Sequence, residues 1–276
     1  MSHYESELLT KDGLHMYEQG WDPEHNPKAV VCLVHGHGEH SGRYSHVASA
    51  LNQAGYTLLA FDLRGHGRSE GQRGHSPSFE IYMDDIDRLL RNAEQRYPGL
   101  PCFIYGHSLG GLLALLYVIR YKPILAGVIA TAPLLHTPLE NQTLKVTFTK
   151  IMASFFPTLT LSSGLDPNTL SRDPEVVSKY ISDPLVHNRI SLRMANDTLR
   201  EMTWTLKHAN EYSIPLLLMD GTDDRLVYPS GCQEFASSVP GDCTIKLWEG
   251  LYHEIHNEPE KELVLAYIVE WLNNKV

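Results

Sequence analysis

Short runs of consecutive apolar residues recur along the chain, separated by longer polar and mixed segments. The runs lack the apolar–polar alternation of a half-exposed strand, which is typical of strands buried on both faces of a sheet. Six segments have this character: Val30–Val34, Thr57–Phe61, Cys102–Tyr105, Gly127–Thr131, Pro215–Met219 and Thr244–Trp248.

Between these runs, apolar residues return every three or four positions, which is the period of an amphipathic helix. At the N-terminus, Glu7–Met16 predicts two strands joined by a turn at Asp12-Gly13. Alternating strands and helices predict an α/β fold with a mostly parallel sheet covered on both faces. Helices are predicted at Tyr44–Ala54, Phe79–Tyr97, Gly111–Arg120 and Leu263–Trp271.

The alternation breaks between residues 137 and 207. This stretch contains no clear strand, and prolines interrupt its helical patches. We therefore predict a core made of residues 1–136 and 208–276, with residues 137–207 inserted as a helical cap.

Composition narrows the classes of function. The 276 residues carry a net charge of −10 without a basic run, which disfavours nucleic acid as a partner. The four cysteines form no CxxC pair and predict neither a disulfide framework nor a metal site. The polar N-terminus is unlike a signal peptide, and no apolar run is long enough to span a membrane. The sequence therefore predicts a cytoplasmic protein.

The pattern G-x-S-x-G, which can mark a nucleophilic serine, occurs twice, around Ser108 and around Ser69. The pattern functions as a sharp turn between a strand and a helix, which leaves the serine hydroxyl exposed. Ser108 directly follows the strand Cys102–Tyr105 and precedes the helix Gly111–Arg120. Ser69 lacks this context, so Ser108 is the predicted nucleophile.

A serine nucleophile needs backbone donors that stabilise the oxyanion formed during acyl transfer. The residue after the nucleophile, Leu109, supplies one N–H group. The glycine-rich loop after Val30–Val34 is expected to supply the other, from His37. The alternative, a metal site built from His35, His37 and His40, lacks suitable ligand spacing. We expect His35 to brace the loop, and no metal or cofactor is predicted.

A base and an acid are expected on loops after late strands, in the chain order Ser, Asp or Glu, His. His253 follows Thr244–Trp248 and is the predicted base, with His256 as the alternative. Asp224 is the predicted acid, in the loop after Pro215–Met219, with Asp223 and Asp220 as alternatives.

The sequence around these residues resembles that of the monoacylglycerol lipases, within the lysophospholipase-like α/β hydrolases. The similar segments are His35–Tyr44 (HGHGEHSGRY), Asp62–Gly71 (DLRGHGRSEG), the acid loop Gly221–Arg225 and the base loop Glu249–His253. The second segment also accounts for the extra G-x-S-x-G at Ser69. The resemblance implies the α/β-hydrolase fold and monoglyceride substrates.

The resemblance also implies a polar pocket end for glycerol, lined by Glu39, Arg43, Tyr180 and His256. A structural ion pair between Glu39 and Arg43 is the alternative. His37 stands where the animal enzymes carry a small residue, and Leu109 replaces a methionine found in some members.

Large apolar residues are concentrated in the cap segment Thr147–Leu161. We expect them to line an acyl channel or to contact lipid, and the alternative is packing of the cap on the core. The residues concerned are Phe148, Ile151, Met152, Phe155 and Phe156.

The sequence thus predicts a serine hydrolase that acts on a small lipid ester, with transient membrane or micelle contact through the cap. A broader carboxylesterase or lysophospholipase is the alternative within the same chemistry. A non-catalytic binding protein of the same fold is the alternative from another class, and the apparently complete triad argues against it.

Overall fold

The computed structural model describes residues 2–276, apart from some side chains between residues 139 and 148. The undescribed side chains are those of Leu139, Asn141, Thr143, Leu144, Lys145, Val146 and Phe148.

The centre of the molecule is an eight-stranded sheet in the order β1-β2-β4-β3-β5-β6-β9-β10. The hairpin β1–β2 is antiparallel, β2 pairs antiparallel with β4, and the remaining strand pairs are parallel. The strands are β1 Ser2–Leu9, β2 His15–Asp22, β3 Ala29–Val34, β4 Tyr56–Phe61, β5 Cys102–His107, β6 Gly127–Thr131, β9 Leu216–Gly221 and β10 Cys243–Trp248. The predicted α/β fold and N-terminal hairpin are confirmed.

Helices cover both faces of this sheet. Helices α1 (Ser45–Gln53) and α8 (Lys261–Asn273) pack on one face. Helices α2 (Phe79–Arg96), α3 (Leu109–Tyr121) and α7 (Ser230–Ser238) pack on the other. Successive residues of β3 enter opposite apolar clusters, which explains why its sequence shows no polar alternation.

A segment inserted between β6 and β9 contains α4 (Thr143–Phe155), α5 (Pro174–Ser182) and α6 (Leu192–Lys207). It also contains two strands, β7 (Thr160–Ser162) and β8 (Arg189–Ser191), which pair antiparallel. The expectation of an insertion without strands was therefore wrong. Three residues are too few to produce a readable alternation of apolar and polar positions. Within residues 2–276, no helix is long and apolar enough to cross a membrane.

Candidate active site

The chain makes a strained turn at Ser108, between β5 and α3. Ser108 has φ 53° and ψ −114°, a backbone conformation that L-residues rarely adopt. Two flanking glycines permit the turn: a Cβ at Gly106 would lie 2.4 Å from the Gly110 oxygen, and one at Gly110 would lie 1.9 Å from the Val34 oxygen. Leu109 begins α3, where backbone N–H groups have no intrahelical acceptor.

Ser69, the serine of the other G-x-S-x-G pattern, has a structural role because its hydroxyl is bonded to the backbone. The Ser69 hydroxyl donates a hydrogen bond to the Asp62 backbone oxygen at 2.6 Å and accepts one from the Tyr17 N–H at 2.9 Å. The side chain is buried and joins the loop after β4 to β2. These contacts hold the loop in place and leave the Ser69 hydroxyl enclosed.

His253 and Asp224 form a buried hydrogen-bonded pair. The His253 Nδ1–H donates to Asp224 Oδ2 at 2.6 Å. The other carboxylate oxygen accepts from the N–H groups of Leu226 and Val227, at 2.7 and 3.0 Å. With Nδ1 committed to Asp224, the Nε2 atom of His253 is left to accept a proton.

Burial and charge act in opposite directions on this pair. Burial disfavours the charged form of each group. The charge and hydrogen bond of Asp224 outweigh burial and raise the pKa of His253. Burial likewise would raise the pKa of Asp224, but His253 and the two backbone donors lower it overall. The pair is therefore suited to holding a proton on His253 during a reaction.

The base loop and the glycine-rich loop after β3 both approach Ser108. The ring of His107, the residue before Ser108, lies 4.8 Å from the ring of His253 between centroids. A Cβ at Gly36 would lie 3.3 Å from the Ser108 Cβ. The structure thus assembles the predicted serine, base and oxyanion loop at one edge of the sheet.

His35 braces the glycine-rich loop, as the sequence predicted. Its Nε2 accepts the Leu63 N–H at 2.9 Å, and its Nδ1 donates to the Gly36 oxygen at 2.7 Å. His40 also uses both nitrogens, with Asp183 at 2.9 Å and with the Gly42 N–H at 3.2 Å. Among the described residues, no group of three or more His, Cys, Asp or Glu side chains could hold a metal ion.

The ring of His37 packs against the rings of His66 and His187, at 5.3 and 5.7 Å between centroids. Burial lowers the pKa of His37 to about 3. The cap meets the loop at this point, because the His187 N–H donates to the Gly38 oxygen at 2.9 Å. His37 therefore places its backbone in the loop and its side chain under the cap.

Glu39 is buried and accepts hydrogen bonds from several parts of the loop. Its Oε1 accepts from the Gly36 N–H and from the Tyr44 hydroxyl, both at 2.7 Å. Its Oε2 accepts from Arg43 at 2.6 Å. The structural ion pair that the sequence left open is therefore present.

Arg43 connects this brace to the base loop and to the cap. Its guanidinium makes two hydrogen bonds to Glu254, each 2.7 Å long, in a bidentate arrangement. It also lies over the Tyr180 ring of α5, 4.8 Å from the ring centre. The sequence reasoning missed Glu254, although its position directly after His253 was a usable signal.

His256 lies on the inner side of this network. It is fully buried, and its ring stacks on Tyr44 with 4.8 Å between centroids. Neither ring nitrogen has a hydrogen-bond partner among the described residues. Burial, followed by the nearby His107, holds the pKa of His256 well below its ordinary range.

Three of the large apolar residues predicted to contact lipid are exposed. Phe155 is 73% exposed, Phe156 56% and Ile151 55%, while Met152 is partly buried. The side chain of Phe148 lies outside the described residues. Burial in the core therefore does not explain why these three residues are apolar.

Comparison with known proteins agrees with this geometry. The family model described as serine aminopeptidase, S33, matches residues 25–260. An uncharacterized abhydrolase domain-containing protein of Dictyostelium discoideum is 42% identical over 98% of this chain, which spans only 29% of that protein's length.

Other relatives match this chain over all or nearly all of their own length. A monoacylglycerol lipase of Mycolicibacterium smegmatis is 34% identical, over 94% of this chain and 93% of its own length. The crystal structure of a monoacylglycerol lipase from Paleococcus ferrophilus superposes with a TM-score of 0.85 at 37% identity, over 100% of both chains. The chain therefore belongs to the α/β hydrolases, in the family described as serine aminopeptidase, S33, alongside the monoacylglycerol lipases.

Proposed function

We propose that this chain is a serine hydrolase that cleaves monoacylglycerols into free fatty acid and glycerol. The observation that carries the proposal is the His253–Asp224 pair beside Ser108 on its strained turn. The relatives named monoacylglycerol lipases support the choice of substrate.

The reaction proceeds through an acyl-enzyme intermediate. Ser108 Oγ attacks the ester carbonyl carbon while His253 Nε2 accepts the hydroxyl proton. The N–H groups of His37 and Leu109 stabilise the resulting oxyanion. His253 then returns the proton to the glycerol oxygen as the ester C–O bond breaks, leaving the acyl group on Ser108.

Water completes the cycle by the same route. His253 removes a proton from water, which attacks the acyl carbonyl, and Ser108 leaves with the proton from His253. Asp224 remains ionised throughout and stabilises the imidazolium form of His253. These steps use side chains and backbone of this chain, and no metal or cofactor takes part in them.

Arg43 and Glu254, with Tyr180 above them and Glu39 bracing Arg43, form the proposed polar end of the substrate pocket. His256 lies behind this network, stacked on Tyr44. Polar groups placed to bond hydroxyls discriminate strongly against substrates that lack them. We therefore expect a preference for monoglycerides over triglycerides, whose additional acyl chains would have to enter this polar region.

The exposed apolar residues Ile151, Phe155 and Phe156 form the proposed lipid-contacting surface of the cap. Apolar groups exposed together often mark a binding or membrane surface. Peripheral, reversible contact with a membrane or micelle would deliver an insoluble substrate to a cytoplasmic enzyme. Met152, partly buried on the same helix, is proposed to continue this surface toward the acyl chain.

A substrate panel tests the function. Purified enzyme is assayed on a monoacylglycerol, the corresponding triacylglycerol, a lysophospholipid and p-nitrophenyl acetate, with Ser108→Ala as the inactive control. We expect the highest kcat/KM on the monoacylglycerol. A higher value on the lysophospholipid, or equal values on all esters, would replace the proposal by a lysophospholipase or a broad carboxylesterase.

A further inference from the structure

The base His253 lies in a loop that the cap contacts through hydrogen bonds. Leu170 and Ser171, which precede α5 in the cap, are both buried. The Leu170 oxygen accepts the Glu254 N–H at 2.8 Å, and the Ser171 hydroxyl donates to the Asn257 oxygen at 3.1 Å. Glu254 directly follows His253, and Asn257 lies further along the same loop. The cap therefore binds the loop just beyond the base.

A buried carboxylate joins the two ends of this loop. Glu258 is 0% exposed, and its Oε1 accepts the Tyr252 N–H at 2.9 Å. Tyr252 directly precedes His253, whereas Glu258 follows Asn257 at the other end of the loop. This single hydrogen bond therefore restrains the backbone that carries the His253 ring.

Arg172 of the cap binds the same carboxylate. Its backbone N–H donates to Glu258 Oε1 at 3.2 Å, and its Nε–H donates to Oε2 at 2.9 Å. Arg172 also pairs with Glu260, which is partly exposed. Among the side chains that the structure describes, no other cation forms an ion pair with Glu258. The cap therefore supplies the positive charge that this buried carboxylate requires.

The charge of Glu258 makes this arrangement depend on Arg172. An ionised carboxylate that has lost its cation is strongly destabilised inside a protein. Without Arg172, Glu258 would have to take up a proton or turn toward solvent. Either change weakens or breaks its hydrogen bond to the Tyr252 N–H, because a charged acceptor binds more strongly than a neutral one. The backbone beside His253 would then lose its restraint.

We propose that Glu258 is a positioning residue for His253, and that Arg172 of the cap compensates its buried charge. The triad then keeps its productive geometry while residues 170–172 are docked on the base loop. The inference rests on the proposed triad, but not on the identity of the ester substrate.

Two substitutions and their combination test this role. Arg172→Met removes the cation but keeps an unbranched side chain. Glu258→Gln keeps an Oε1 acceptor for Tyr252 and removes the charge that requires a cation. The double variant therefore lacks both charges but retains the bond that restrains the base. Arg200→Met is the matched control, because Arg200 also pairs with a buried carboxylate, Glu201, but in α6 of the cap.

The readouts are kcat and KM for p-nitrophenyl acetate, whose short acyl group needs few contacts with the cap. We expect Arg172→Met to lower kcat by roughly tenfold to a hundredfold with KM nearly unchanged, because small displacements of a catalytic group lower rates by this order. We expect the double variant to be faster than Arg172→Met and to match Glu258→Gln. Arg200→Met should leave both constants unchanged.

A double variant as slow as Arg172→Met, or wild-type kcat in Arg172→Met, would overturn the proposal. The comparison of Glu258→Gln with the double variant does not require Arg172→Met alone to fold. In the Glu258→Gln background, adding Arg172→Met should leave kcat unchanged, and a further loss of kcat would also overturn the proposal.

Proton NMR provides a readout that does not depend on turnover. The short hydrogen bond from His253 Nδ1–H to Asp224, 2.6 Å between heavy atoms, moves this proton far downfield in the spectrum. We expect its signal in the wild type and in the double variant, and its loss through exchange with water in Arg172→Met. A persistent signal in Arg172→Met would contradict the positioning role. An active Ser108→Ala enzyme would instead refute the triad, so the two failures are distinguishable.

Discussion

At the residue scale, Glu39 shows how one buried carboxylate can hold a single loop together. Its oxygens accept from the Gly36 N–H, the Tyr44 hydroxyl and Arg43. Burial disfavours its charge, but Arg43 and the neighbouring donors lower the pKa of Glu39 to about 2. Gly36 precedes His37, so Glu39 fixes the loop that carries the proposed oxyanion donor.

Glu39→Gln tests this bracing role. The amide can replace only part of the hydrogen bonding, and Arg43 loses one of its two carboxylate partners. We expect kcat to fall on p-nitrophenyl acetate and on monoacylglycerol alike, with a stability loss of about 1–3 kcal/mol. Steady-state kinetics on both esters provide the measurement. A rise in KM confined to the monoacylglycerol would instead identify Glu39 as a glycerol contact.

At the element scale, strands with long apolar runs could be predicted and short elements could not. Both faces of β3 are buried, so its sequence is apolar throughout. By contrast, β7 and β8 have three residues each, and α7 buries few large apolar residues beyond Phe235. Their conformations depend on packing with distant segments, which a local pattern does not contain.

Two exposed phenylalanines, Phe155 and Phe156, lie at the C-terminal end of the cap helix α4. Replacing Phe155 and Phe156 with Ser removes exposed apolar area without disturbing the core. We expect weaker sedimentation with phospholipid vesicles and a larger loss of turnover on long-chain monoacylglycerol than on p-nitrophenyl acetate. Tyr121→Ser with Ile124→Ser is the matched control, because both residues are also exposed but lie outside the cap, at the end of α3 and just after it. Equal effects of the two double variants would contradict a specific lipid surface.

At the scale of the whole molecule, several histidines are buried in their neutral form. Burial lowers the pKa of His37 to about 3 and that of His107 to about 4, and it holds His66 and His256 well below the ordinary value. In the unfolded chain these groups titrate near pH 6.5. The unfolded state therefore binds more protons below that pH, and acid favours unfolding.

We expect the free energy of unfolding to fall by several kcal/mol between about pH 6.5 and pH 4, since each pKa unit corresponds to about 1.4 kcal/mol. The lowered pKa of Asp224 acts in the same sense, whereas the raised pKa of His253 stabilises the folded state below pH 6.5 and changes stability mainly above that pH. Urea unfolding across this range provides the measurement. His37→Gln should reduce the pH dependence, whereas His25→Gln, at an exposed site, should leave it unchanged. A flat profile in the wild type would contradict this account.

The candidate site was predictable where its residues have fixed positions relative to strands. Ser108, Asp224 and His253 each follow a recognisable strand, and each lies where the sequence placed it. Glu254 directly follows His253, but its role could not be read from the sequence because its partner Arg43 is 211 residues away. Long-range pairing of polar groups becomes visible only once the chain is folded.

In the proposed mechanism, Ser108 carries the acyl group during ester hydrolysis. The most direct measurement is peptide mass spectrometry after labelling with a fluorophosphonate probe, with and without competing monoacylglycerol. We expect a single adduct on Ser108, suppressed by monoacylglycerol, absent in Ser108→Ala and retained in Ser69→Ala. An adduct on another residue, or undiminished labelling of Ser108→Ala, would contradict the account.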